Sequence, residues 1–484
     1  MIRFILLVLV LFYPLADLQS QNVRSFLEFA NSKEKEFNAF YDKIEKDISQ
    51  LLKEKWEMYE SMQSKAATRK FPESPVVFDD KSSSPKLIGS ELKIKDINFE
   101  LSEKKDSTLI NNIDSPPAKE LTEERTIGAY NEGLYSVLFF GAEFYFNANQ
   151  ISEFKLESTS EEDVSRFYDS ITKNDNNSII SVLLKAREKY SLPDWSVYLL
   201  SKKISEQLFK DSGARAIFEM YLLNKAGFDS RICRNNNRLL LMIPTNEIIY
   251  GYSYLSLEDK DYYIMGDVAG PIYTYGKNGS NNKKSLNIRY NQIALPRKLL
   301  NKPLKISEDK INVTVNKNLI DMLNEFPDMH FSSYCKVPFS KELEESLIKG
   351  LKSKTSGMNQ VDVLNYLLNF VQKSFEYKTD NQQFGKERVL FAEEIFHYPY
   401  SDCEDRSILF SMLVKEILHL EVALVNYPNH LATAVNLKNE EINGDFFTIK
   451  GKKFFVCDPT YINAPAGESM PDIKDESAKL YLLD

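Results

Sequence analysis

Between residues 403 and 461 the apolar pattern changes from a helical period to a strand period, and no other stretch limits the fold as strongly. Ile408, Leu409, Met412, Leu413 and Ile417 mark one buried helix face, preceded by Pro399 and by Ser401-Asp402 as loop and N-cap. The run EVALVNYPNHLATAVNL (421–437) then holds two strand-like pieces separated by Tyr427-Pro428-Asn429. After it, FFTIKGKKFFVCDPTY (446–461) reads as a hairpin around Gly451 whose second strand ends at Asp458-Pro459. A helix laid on consecutive hairpins predicts an α+β unit with an antiparallel sheet.

This arrangement puts three reactive side chains at element ends. Cys403 falls at the first turn of the helix, His430 opens the second strand, and Asp458 closes the last one. A nucleophilic thiol needs a base to take its proton and an acid to orient that base, which these three types supply in that order. The helix N-terminus favours a thiolate, while Glu404 and Asp405 oppose it, so a second group has to help ionise the sulfur. A zinc site from Cys403, His430, Cys457 and Asp458 is the rival chemistry, but it lacks the close ligand pairing typical of zinc. Cys457 precedes Asp458 on the strand and is expected to face the core. Cys233 and Cys335 are left open as a disulfide pair. His330, His397 and His419 lack a companion pattern and take structural or surface roles, with a substrate-side place for His397 as the alternative.

The segments Asp402-Cys403-Glu404-Asp405-Arg406-Ser407, Asn429-His430-Leu431-Ala432 and Asp458-Pro459-Thr460-Tyr461 resemble the transglutaminase-like superfamily of papain-like cysteine hydrolases and acyltransferases. The resemblance is good from Val361 to Ala466, with Ser401 where the family usually has Gly. It implies a catalytic triad of Cys403, His430 and Asp458, acyl transfer from a peptide or protein amide through a thioester, and no metal or organic cofactor. The backbone N–H of Cys403 would be one oxyanion donor, with Gln382 or Gln383 as guesses for the second. A catalytically inactive peptide-binding scaffold on the same fold is the contrasting reading.

Comparing the chain with itself gives a second match. Residues 213–232 follow the helix-then-strand pattern of 405–424, and 260–276 parallel 452–467. On that register Asp211 takes the place of Cys403, Arg238 that of His430 and Asp267 that of Asp458, which predicts a degenerate first copy over 128–300 and a catalytic copy over 301–484.

The rest of the chain is read more coarsely. Arg3 followed by the apolar run Phe4–Tyr13, ended by Pro14, reads as a signal peptide over 1–20, and hence as a periplasmic or secreted protein. Residues 22–71 carry an apolar stripe (Phe37, Tyr41, Ile44, Ile48, Trp56, Tyr59) expected on one long helix. Residues 72–127, with five prolines and Ser82-Ser83-Ser84, read as a linker with weak strand signals at 92–101. No second apolar stretch of 18 residues occurs, so no membrane span is expected once the signal is removed. A net charge of −9 argues against a nucleic-acid surface.

Overall fold

The computed structural model describes residue 43 and residues 45–65, 74–78, 89–99, 133–148, 150–276, 283–306, 309–438 and 441–483. The expected signal peptide, the first part of the expected long helix and most of the expected linker lie outside them. Among the described residues no helix is long and apolar enough to cross a membrane.

The molecule is mixed α+β, built on two antiparallel-based sheets that share a strand order. In the C-terminal sheet the neighbours run Phe446–Ile449, Lys452–Cys457, His430–Asn436, Glu421–Tyr427, Ala478–Leu483 and Ile94–Phe99. In the N-terminal sheet Ser253–Leu257, Lys260–Ile264, Arg238–Pro244, Arg231–Asn235 and Ile272–Thr274 follow in the same sequence. Each sheet receives a buried helix that directly precedes one of its interior strands, Ser212–Lys225 before Arg231–Asn235 in one unit and Cys403–Leu418 before Glu421–Tyr427 in the other. The first hairpins also match, since Asn235 pairs Arg238 and Tyr427 pairs His430 across two-residue turns.

The helix starts correct the register expected between the units. Asp211 and Asp402 are both N-caps, so Ser212, not Asp211, stands where Cys403 stands (403 − 212 = 191). The sequence match had placed the caps one residue out of step, because the helical periodicity it used does not mark the first turn.

Strand alternation divides the buried side chains between the two faces of each sheet. Val422, Leu424, Val435 and Phe455 join the main core with Phe410 and Leu413 of the helix, whereas Ala423, Val425, Ala434 and Val456 pack on the other face. The main core is continuous from Trp56, Trp195 and Phe218 to Phe370 and Phe410, so the two units bury apolar surface against a common interior.

Three boundaries differ from those read in the sequence. The helix near the N-terminus ends by residue 53, where Trp56 turns into the core and Glu57–Tyr59 and Met62–Gln63 become edge strands of the N-terminal sheet. An apolar stripe does not distinguish a helix from a helix plus a strand when both bury the same side. Ile94–Phe99, within the expected linker, is the parallel edge strand of the C-terminal sheet. Leu299–Ile306 pairs with Asp309–Asn316, so the boundary expected at 300/301 falls inside a hairpin strand. All four cysteines are free and buried, so Cys233 and Cys335 form no disulfide.

Candidate active site

The helix Cys403–Leu418 is buried from Cys403 through Val414, unlike a surface helix with one apolar stripe. It ends where His419 takes φ 53° and its N–H returns to the Lys415 carbonyl, which gives this histidine a closing role. His330 likewise serves locally, capping the short helix that begins at Phe331. His397 is partly exposed, and its imidazole is shifted below its ordinary range by burial and then by Lys317.

Cys403, His430 and Asp458 are all within 1 % of full burial. His430 Nε2 lies 2.8 Å from Asp458 Oδ2. The other carboxylate oxygen, Oδ1, accepts the N–H groups of Thr460 at 2.9 Å and Tyr461 at 3.2 Å, which fixes the acid in the Asp-Pro-Thr turn. With Nε2 engaged by the acid, Nδ1 is the nitrogen left for proton transfer, and it is buried without a hydrogen-bond partner. The Leu431 backbone, one residue past His430, acts on the thiol in the direction that favours its thiolate. One turn further on, Ser407 Oγ donates to the Leu431 carbonyl at 2.8 Å and pins helix to strand. Removing that hydroxyl would leave a buried carbonyl unpaired, at about 1–3 kcal/mol.

The resting thiol is neutral, contrary to the thiolate that a helix N-terminus alone would favour. Burial pushes its pKa up first, then the Glu404 and Asp402 carboxylates do so, and together they outweigh the Leu431 N–H. The sulfur donates to Glu404 Oε2 at 3.3 Å rather than to the imidazole. Sequence reasoning expected opposition from Glu404 and Asp405; the structure assigns it to Glu404 and Asp402. Cys457 packs in the main core and its thiol donates to the Phe455 carbonyl at 3.7 Å. Among the described residues the zinc alternative does not assemble. The cluster with metal-ligand spacing is instead Asp380, Asp402 and Asp405.

Two supporting residues were given no role in the sequence reading, although Arg406 lies within the segment that carries the resemblance. Gln372, on the helix Gln360–Ser374, donates to the Asp458 carbonyl at 3.1 Å and the Ala464 carbonyl at 3.0 Å while accepting the Asn463 N–H at 3.1 Å. It clamps the turn that carries the acid. Arg406 is buried and donates to Ser401 Oγ at 3.2 Å, to the Phe375 carbonyl at 2.8 Å and to the Gln372 carbonyl at 3.4 Å. Ser401, which replaces the glycine expected from the resemblance, therefore has a partner of its own. Only the spacing of Gln372 and Arg406 across 34 residues brings them together, and no local pattern marks it. Gln382, one of the two oxyanion guesses, accepts the Thr379 N–H at 3.2 Å through its carbonyl oxygen in a helix cap, and Gln383 Oε1 is buried without a partner.

The N-terminal unit places different chemistry at the same ends. Ser212, Arg238 and Asp267 are exposed, and Arg238 Nη2 donates to the backbone carbonyl of Asp267 at 2.7 Å, not to its carboxylate. A guanidinium stays protonated and cannot act as a base.

Comparison of the chain with protein-family models and with curated proteins gives no match.

Proposed function

We propose that this chain is a cysteine-dependent acyl-transfer enzyme with a transglutaminase-like, papain-like C-terminal domain, most simply a peptidase or amidase. The observation that carries this reading is the split use of His430: Nε2 is held by Asp458 while Nδ1 is buried and unpaired, one residue before the Leu431 carbonyl that Ser407 of the nucleophile helix holds. In the proposed reaction Nδ1 takes the Cys403 proton as the sulfur attacks an amide carbonyl. The tetrahedral oxyanion is met by the Cys403 backbone N–H at the helix start. Collapse returns the proton to the leaving amine and leaves a thioester, which water or an amine then releases. Because all three groups are buried, substrate entry requires the surrounding chain to open and the thiol to leave Glu404. The N-terminal unit is read as a degenerate copy that supports the fold without thiol chemistry. The leader and the periplasmic or secreted location form part of the same proposal; an intact mass that retains residues 1–20 in exported protein would remove them.

The buried resting thiol, bonded to Glu404 rather than to His430, supports a second reading: an inactive peptide-binding scaffold. An activated acyl donor separates the two without knowledge of the natural substrate. Incubation with a p-nitrophenyl ester should release a burst of one equivalent and leave an intact-mass adduct that hydroxylamine removes, absent in Cys403→Ser. No adduct on the folded wild-type chain would favour the scaffold.

A further inference from the structure

Three carboxylates converge at the first turn of the nucleophile helix, and among the described residues none of them forms a salt bridge. Asp380 comes from the short helix Asp380–Phe384, while Asp402 and Asp405 belong to the helix cap and first turn. One oxygen from each lies within 4.8 Å of the other two, and all three residues are buried. Asp380 Oδ2 accepts the Arg388 N–H at 2.7 Å and Asp405 Oδ1 the Leu390 N–H at 2.9 Å, so these two are oriented by the backbone. Asp402 is different: it is 1 % exposed, and among the described residues no N–H group reaches its carboxylate oxygens, which lie near the Glu404 carboxyl group. The buried Arg406 beside it spends its donors on one hydroxyl and two carbonyls, none of them a carboxylate. A buried carboxylate with no positive partner is costly enough that it is expected either to bind a proton or to hold a cation.

We propose that Asp380, Asp402 and Asp405 form a binding site for one calcium-class divalent cation, held by carboxylate oxygens next to Cys403. The donor set is all oxygen, which suits hard cations and disfavours zinc or copper. A cage of protein carboxylates suits calcium, which takes six to eight oxygens in flexible geometry, better than magnesium, which usually keeps several of its waters. Bound there, the cation joins the 380–402 segment to the start of the nucleophile helix and gives the Asp402 oxygens a positive partner. The site does not depend on the enzyme reading, since its readout is binding.

The test is calorimetric titration of the EDTA-treated full chain with calcium, with magnesium as the comparison ion and thermal unfolding in parallel. One calcium per chain is expected, with a higher melting temperature in calcium than in EDTA. Asp402→Asn, which keeps the shape and removes the charge, should weaken binding at least about tenfold, as should Asp380→Asn, while the exposed Glu416→Gln should not. Absence of calcium uptake by the wild type at millimolar concentration would overturn the proposal. So would undiminished binding by both cluster variants. If Asp402→Asn instead stabilises the protein equally in calcium and EDTA, the carboxylates share protons, and the cation site does not exist.

Discussion

The two units present the same hairpin scaffold to opposite ends. In both, a capped helix leads into a strand, a two-residue turn, and a second strand whose first residue faces the chemistry-bearing corner. In the N-terminal unit that corner is open, and it holds a hydroxyl, a guanidinium and a backbone carbonyl. In the C-terminal unit it is closed over a thiol, an imidazole and a carboxylate. The difference lies in three positions and their cover, not in the sheet. Strand order follows from alternating burial and from turn length, which tolerate almost any residue at the exposed ends, so the corner can change its chemistry without disturbing the fold.

Substitution at the matched helix starts should break the equivalence most sharply. Cys403→Ala is expected to lower acyl-transfer turnover at least about 10⁴-fold, while Ser212→Ala should leave it unchanged, both measured on the same activated ester. Equal effects would mean that the units work jointly. Gln372→Ala comes next: freeing the acid-bearing turn should cost up to about 10²-fold in kcat with little change in KM. Rescue by Gln372→Glu is not expected, because a carboxylate cannot donate to the Asp458 and Ala464 carbonyls.

Glu404→Gln should have a smaller effect, and one seen mainly in pH dependence. Removing the charge nearest the sulfur is expected to move the Cys403 alkylation profile to lower pH, since Glu404 follows burial in holding the thiol up. An unmoved profile would assign the shift to burial alone. The smallest effect is on stability, and both units should share it. Burial lifts Glu219 in the first unit and Glu394 in the second to about 7, well above the usual carboxylate range. A carboxyl whose folded pKa is raised stabilises the fold below its unfolded pKa and loses that contribution as pH rises through the folded value. The unfolding free energy from urea titration should therefore fall between about pH 4.5 and pH 7.5, by up to about 3 kcal/mol for each group, and Glu219→Gln should flatten its share.

Much of the C-terminal unit was legible in the sequence because its signals are local. The helix period, the Tyr427-Pro428-Asn429 turn and the hairpin at Gly451 each declare themselves within a few residues. The three candidate residues stood out in the sequence for the same reason, since each ends an element. What was missed is non-local: Gln372 and Arg406 meet across separate helices, and Asp380 reaches Asp402 and Asp405 from an earlier short helix. The N-terminal stripe misled because Trp56 and Tyr59 continue a helical spacing after the helix has ended. The charge on the sulfur was also misjudged. The helix N-terminus was legible, but complete burial next to Glu404 was not.

The central claim is that His430 Nδ1 serves Cys403, and selective alkylation tests it most directly. The native full chain is treated briefly with iodoacetamide at pH 7 and mapped by peptide mass spectrometry, beside His430→Ala. The catalytic account expects one adduct, on Cys403, formed whenever the site opens and strongly slowed in His430→Ala, with Cys233, Cys335 and Cys457 unmodified in the buried core. If Cys403 labels no faster than those three thiols, and the His430→Ala chain labels at the same rate, the pair does not work as nucleophile and base, and the account is contradicted.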